Sequence, residues 1–306
     1  MSESILLTIP PEHAGRRLDQ SLASLLPQHS RARIQAWCDA GEVSLNGRAA
    51  ARDTRVFGGE RVQLRPLPHP AEQAHAPEAI ALDIVHEDEA LIVVNKPPGL
   101  VTHPGAGNWA GTLLNALLHH CPQLAQLPRA GIVHRLDKDT SGLMVVAKTA
   151  AAQTALVRAL QARTVSRVYW ALAVGRIEPA AGTIDAPIGR HPVQRTRMAV
   201  LAEGKSARTH YRVLRQFAQA AWLECRLETG RTHQIRVHLA HLGHPLLGDP
   251  VYGRRAPAAL SFHRQALHAR SLALQHPLTG VAMHWQAGLP ADMQRLLERL
   301  EDALAA

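Results

Sequence analysis

From Gly131 the sequence reads Gly131-Ile132-Val133-His134-Arg135-Leu136-Asp137-Lys138-Asp139-Thr140-Ser141-Gly142, a short apolar strand running into a charged loop that returns to the apolar run Leu143 to Ala147. A loop held between rigid strands can fix a reactive group at low entropic cost. Asp137 and Asp139 are the carboxylates in it. They read either as a pair for acid and base work, or as one reactive group and one loop-shaping partner of Arg135 or Lys138; the plainer alternative is a surface turn with local ion pairs. A second concentration of chemistry is Gly230-Arg231-Thr232-His233-Gln234-Ile235-Arg236-Val237-His238, followed by His241 and His244. His238, His241 and His244 are spaced by three and could share a helix face, as metal ligands do. No HExxH pattern accompanies them, and Cys38, Cys121 and Cys225 are too widely separated for a thiolate metal site or a disulfide framework. Gly105, Gly107 and Gly111 have GxGxxxG spacing with no acidic residue following at ribose-binding distance, so a dinucleotide loop is a weak reading. Neither a GxxxxGK[ST] phosphate loop nor a GxSxG elbow is present.

These residues need elements to position them. Strand candidates are Ala81 to Val85, Leu91 to Val94, Ile132-Val133, Gly142 to Ala147, Val168 to Val174, Tyr211 to Leu214 and Trp222 to Leu227; helix candidates are 111–119, 150–162 and 233–242. Strands outnumber helices without strict alternation, which predicts an α+β domain on a curved mixed sheet over residues 79–306. Pro-rich residues 66–78 read as a linker. Before it, residues 1–65 form a small module: Leu18, Leu22, Leu25 and Leu26 recur at helical spacing, Ser30 is placed to cap a second helix carrying Ile34 and Trp37, and Asn46-Gly47 marks a hairpin turn. The run RRLDQSLASLLPQHSRARIQAWCDAGEVSLNG resembles the S4 RNA-binding domain. Arg16, Arg17, Arg31 and Arg33 gather at the starts of its two helices and are the expected phosphate contacts; an ordinary solvated helix face is the alternative.

Composition agrees with a polyanionic partner. A formal charge of +9 over 306 residues and a pI near 10.3 favour nucleic acid over acidic protein partners in particular. Of 34 basic residues only Lys96, Lys138, Lys148 and Lys205 are lysines, and arginine suits bidentate phosphate contact and stacking. No signal-peptide pattern and no long apolar span is evident, so a soluble, cytoplasmic chain without a membrane segment is expected.

The run HRLDKDTSG at 134–142 matches the signature of the RluA-type family of pseudouridine synthases. The likeness extends through LIVVNKPPGLVTHPGAGNWAGTLLNALLHH at 91–120, Arg167-Val168-Tyr169, and LETGRTHQIRVHLAHLGHPLLGDPVYG at 227–253. Within the family the HPGAGN segment, the RAGIVHRLDKD run and the HPLLGDPVYG run most resemble the branch that modifies 23S ribosomal RNA of the large subunit at the helix 69 stem-loop. The resemblance implies an isomerase that breaks the N-glycosidic bond of uridine, rotates the uracil and rejoins it through C5. It implies that Asp137 is the essential nucleophile, that Arg231 pairs with and orients Asp137, and that Tyr169 stacks on the base and takes part in removing the C5 proton. Leu227 then lies beneath the base; Arg135 and Arg236 are further substrate contacts, with a weaker role for Arg236. Neither a cofactor nor a metal is implied, and no obligate protein partner is expected. Attack at ribose C1′, removal of the 2′ proton and addition to uracil C6 all remain open to a carboxylate. Two other readings stand beside this one: another rRNA or tRNA uridine as target, and a non-catalytic S4-type RNA-binding protein.

Overall fold

The computed structural model describes residues 4–67, 74–105, 107–253 and 260–305, apart from the side chains of 304 and 305. They fall into two compact units, Met1–Gln73 and Ala74–Ala306. Of the expected 66–78 linker, residues 68–73 lie outside the described residues. Its last part is fastened to the larger unit, since Asn115 Nδ2 donates to the Ala74 and Ala76 carbonyls at 3.0 and 2.8 Å.

The smaller unit runs β1 (Ile5–Thr8), α1 (Leu18–Leu25), α2 (Arg31–Asp39), β2 (Val43–Leu45), β3 (Arg48–Ala49) and β4 (Arg61–Leu64). Leu18 and Leu22 of α1 and Ile34 and Trp37 of α2 close over Val43, Val62 and Leu64 of the sheet. Ser30 Oγ accepts from the Arg33 N–H at 3.3 Å, which caps α2 as its position predicts. Asn46 and Gly47 both take positive φ, 50° and 79°, the backbone a tight hairpin between right-twisted strands requires. The sheet order is β1-β4-β2-β3. Strand β1 is not legible in the sequence, because its alternation of half-buried and exposed positions spans only four residues.

The larger unit contains β5 (Ile84–Glu87), β6 (Leu91–Lys96), α3 (Leu113–His120), β7 (Ser141–Ala147), α4 (Ala150–Gln161), β8 (Ser166–Val174), β9 (Ala181–Asp185), β10 (Ile188–Arg190), β11 (Met198–Val200), β12 (Arg208–Gln216), β13 (Ala220–Leu227), α5 (Gln234–His241), β14 (Leu267–Gln275), β15 (Ala282–Gln286) and α6 (Ala291–Ala305). The main sheet has the order β5-β6-β7-β14-β8-β13-β12-β9, with β15 joining β14. It is mixed, as expected: β7 and β14 run parallel and the other pairings are antiparallel. Strands β6 and β7 are apolar on both faces because both faces are covered. Ile92, Val94, Met144 and Val146 enter one core with α3 and α5, while Leu91, Val93, Leu143, Val145 and Ala147 enter another with Ala152 and Leu156 of α4.

Some expectations need correction. Ile132-Val133 is not a strand; Ile132 forms only an isolated bridge to Val146, and the chain before it makes a 3-10 turn at Pro128–Gly131 with Arg129, Ala130 and Gly131 all at positive φ. Strand β14 is hidden in the sequence because His268, Arg270 and Ser271 interrupt its apolar pattern, yet pairing with β7, β8 and β15 secures it. Helix α6, absent from the helix candidates, buries Met293, Leu296 and Leu300 against Leu172 and Phe217 at a helical spacing.

Candidate active site

The charged loop 133–140 links the left-handed turn to β7, and its backbone is tied down from several directions. Lys96, 1% exposed at the end of β6, donates its ammonium protons to the carbonyls of Pro97, Leu100 and Lys138 at 2.8, 2.9 and 2.9 Å. Burial pushes this amine down to about 7, against the pull of Asp139 and Asp137. Thr102 Oγ1 donates to the Leu136 carbonyl at 2.8 Å, and the Thr140 N–H to the Asp137 carbonyl at 3.0 Å. His134 Nε2 accepts from the Val145 N–H at 3.0 Å, which requires an unprotonated nitrogen there; burial holds this imidazole down at about 3. Lys96 lies in the run 91–120 that carries the family likeness but has no role read for it there, so the clamp on the Asp137 loop is a finding of the tertiary structure.

Asp137 lies in a cavity of about 840 Å³. Its Oδ2 accepts from Arg236 Nη1 at 2.9 Å, and its Oδ1 is 3.8 Å from His233 Nε2. Arg236 is 4% exposed and also grips Asp249 through Nε and Nη2 at 2.7 and 2.9 Å. Burial opposes its charge, yet Asp249 and Asp137 hold the guanidinium above its ordinary value. Asp249 is held below its own, since Arg236 and the Tyr252 and Val251 N–H groups outweigh burial. Tyr252 lies under the Arg236 guanidinium, 5.1 Å from ring centroid to Cζ. Its hydroxyl accepts from the Met198 N–H at 2.8 Å and meets His233 Nδ1 at 2.8 Å. Burial holds the His233 imidazole below its ordinary value, and its Nε2 edge faces Asp137.

This arrangement corrects the expected partner of Asp137. Arg231 is exposed at the cavity wall and donates Nε to the Ser206 carbonyl at 3.0 Å, so the orienting guanidinium is that of Arg236. The reason is local: His233 takes a left-handed conformation (φ 58°) as N-cap of α5, leaving Arg231 in the preceding turn while His233 and Arg236, three residues apart, both face Asp137. Tyr169 in β8 is 5% exposed, lines the cavity, and has its hydroxyl pushed toward the neutral form by burial. Leu227 is half-buried at the end of β13, and Leu227 and the exposed Arg135 also line the cavity. Asp137 lines the cavity and Asp139 is not among its lining residues.

Histidines considered as ligands have separate partners: His238 binds Thr209 Oγ1 and the Ala186 carbonyl at 2.9 Å each, and His244 binds the Val174 carbonyl at 3.0 Å. Among the described residues no group of three or more His, Cys, Asp or Glu converges as a metal site would. In the smaller unit, Arg17 and Arg31 both pair with Asp19, at 3.2 and 2.9 Å. Burial alone would raise that carboxyl, but Gln35, Arg31 and Arg17 bring it to about 2. Arg16 is exposed, and Arg33 lies over Trp37 at 5.3 Å. The pair at Asp19 keeps 38% and 46% side-chain exposure.

An oriented carboxylate beside an aromatic ring, in a cavity rich in arginine and carried on an α+β domain, defines an enzyme that acts on an anionic substrate. The comparisons specify which. Residues 90–241 match the family described as RNA pseudouridylate synthase, and residues 16–62 match the S4 domain. The chain belongs to the RNA pseudouridylate synthase family. It is 56% identical to "Ribosomal large subunit pseudouridine synthase D" of Nitrosomonas europaea over 305 residues, covering 98% of this chain and 88% of that one. With the Escherichia coli K12 protein of the same description it shares 52% over 303 residues, 95% of this chain and 92% of the relative. The solved structure of human RNA Pseudouridylate Synthase Domain Containing 1 superposes with a TM-score of 0.57 at 28% identity, covering 75% of this chain and 96% of that one.

Proposed function

We propose that this pseudouridine synthase isomerises uridines of large-subunit ribosomal RNA in the cytoplasm, that its target is the helix 69 stem-loop, and that Asp137 is the group that attacks the nucleoside. One observation carries the chemical part: Asp137, held through Oδ2 by a buried arginine, lines with Tyr169 a cavity sized for a nucleotide. A uridine inside a stem-loop is extruded before a carboxylate reaches its sugar, at a cost of a few kcal/mol, and stacking on Tyr169 offsets part of that. Arg236 holds the carboxylate in place through its Nη1. The neutral Tyr169 phenol serves as stacking surface in the resting site, and its role at the C5 proton follows uracil rotation. The ribosomal target is supported by the large-subunit relatives above; helix 69 is supported by the HPGAGN and HPLLGDPVYG runs.

The test is single-turnover conversion of a labelled helix 69 stem-loop by Asp137→Asn, with a binding isotherm and a thermal melt. Turnover should vanish while the fold and RNA affinity persist, because the amide keeps an acceptor for Arg236 and removes a negative charge from an RNA site. Asp139→Asn, outside the cavity, should slow the reaction without abolishing it. Turnover near the wild-type rate by folded Asp137→Asn would overturn the assignment. Mapping pseudouridines in ribosomal RNA from cells lacking the gene decides the target: loss outside helix 69 refutes that site.

A further inference from the structure

Arg167 takes part in none of the interactions described above. It precedes Tyr169 by two residues in β8, so the strand period places both side chains on one face, and both line the same cavity. Arg167 is 7% exposed. Among the described residues its buried Nε has no hydrogen-bond partner and no carboxylate lies within ion-pairing distance of its guanidinium. The acids of the cavity are engaged elsewhere: Asp137 by Arg236, and Glu228 by Arg163, Arg208 and His210. The neighbouring chain makes room for the group, since a Cβ at Gly230 would stand 2.7 Å from Arg167 Nη1.

A buried guanidinium without a counter-charge is unfavourable, and arginine cannot relieve the cost by losing its proton. Such a group belongs in a site whose anion arrives with the ligand. We infer that Arg167 is an anion-binding residue inside the cavity, and that it takes a phosphodiester of the RNA strand at the extruded uridine. The inference rests on the RNA-substrate reading above. Phosphate is favoured over a uracil carbonyl because it supplies a full charge in bidentate geometry. Position agrees: two residues along a strand are about 7 Å apart, so a nucleotide stacked on Tyr169 brings its sugar-phosphate backbone, rather than its base, to Arg167. The positive field is already felt nearby, opposing the upward push of burial on the Tyr169 phenol and adding to its downward push on His134.

The experiment measures stem-loop affinity at several salt concentrations and thermal stability for the wild type, Arg167→Met and Arg167→Lys. In parallel, stem-loops carrying one neutral methylphosphonate at successive positions about the target are bound to each protein. Arg167→Met should weaken binding about 10- to 100-fold, the effect of removing a charge-assisted hydrogen bond, and flatten the slope of log affinity against log salt by about 0.7–0.9. Its melting temperature should stay level or rise, because the unpaired charge is gone, and Arg167→Lys should recover part of the affinity. One methylphosphonate position should weaken the wild type by a similar factor and leave Arg167→Met unaffected. Wild-type affinity and salt slope in Arg167→Met overturn the inference, as does a melting temperature lowered by more than about 5 °C, which marks a structural strut. Methylphosphonate losses that add to the Arg167→Met loss at every position also overturn it. A wild-type protein that neither binds nor converts any ribosomal stem-loop refutes the substrate reading itself and takes this inference with it, whereas a converting wild type with an indistinguishable Arg167→Met sinks the inference alone.

Discussion

Arg236 stands between two carboxylates, one buried and one facing the cavity, and this explains why two arginines five residues apart have such different work. Removing one member of a buried ion pair leaves the other uncompensated and typically costs about 3–5 kcal/mol. Arg236→Met should therefore lower the melting temperature markedly and abolish turnover, because Asp249 loses its partner together with Asp137. Arg231→Met should leave the melt nearly unchanged and raise the RNA concentration needed for half-maximal conversion, as expected of an exposed group at the cavity wall. Thermal melts and single-turnover titrations of the two variants side by side check this. A stable, active Arg236→Met beside an inactive Arg231→Met would restore the pairing that the family resemblance implies. Of the residues that sequence reasoning singles out, Asp137, Tyr169, Leu227, Arg135, Arg231 and Arg236 all line one cavity. Lys96, Arg167, Asp249 and Tyr252 lie in the runs that carry the family likeness but are given no role there, because a lysine at a strand end, an arginine within a strand, or an aspartate in a turn is locally indistinguishable from a surface residue.

At the scale of elements, the site depends on β7 and β14 lying side by side immediately after the Asp137 loop. Gly142 has φ 113°, and a Cβ there would lie 2.3 Å from the Ala269 carbonyl oxygen and 2.6 Å from its nitrogen. A side chain at this position would force apart the parallel pairing of Ser141 with His268 and Gly142 with Ala269. Gly142→Ala should cost about 2–5 kcal/mol from combined backbone strain and overpacking, read as a lower denaturant midpoint, and should reduce turnover by shifting the loop that carries Asp137. A variant with the wild-type midpoint would show that the strands separate easily and that the glycine serves another purpose. The left-handed run at Arg129, Ala130 and Gly131 is a comparable device on the other side of the loop: a Cβ at Gly131 would stand 1.9 Å from the Ala147 carbonyl oxygen.

For the whole molecule, the two units have separate hydrophobic cores, one from Ile9 to Leu64 and the others beyond Ala74. The described cavity is lined by residues of the larger one. Phosphate contacts set affinity and its salt dependence, whereas the chemistry needs only the catalytic cavity. Deleting residues 1–73 should leave a folded protein that converts a stem-loop slowly at high RNA concentration, binds it more weakly, and shows a salt slope shallower by about 0.7–0.9 for each phosphate it no longer neutralises. Unchanged affinity and slope would show that Arg16, Arg17, Arg31 and Arg33 do not bind the RNA.

Local pattern alone determined a good deal: helices close to 18–25, 31–39, 113–120 and 150–161, the strand that follows the charged loop, the Asn46-Gly47 turn and the basic character of the chain. These follow from periodicity, capping and net charge, which act over a few residues or over the whole composition. The tertiary structure alone decided which arginine meets Asp137, because a left-handed His233 sets the phase of α5 relative to the loop. It also decided that the Lys96 ammonium fastens the loop and that the Arg167 Nε is buried without a partner among the described residues. Those facts depend on groups distant in sequence, 42 residues apart for Lys96 and the Lys138 carbonyl and 99 for Arg236 and Asp137, and no local propensity encodes a distance across the sheet.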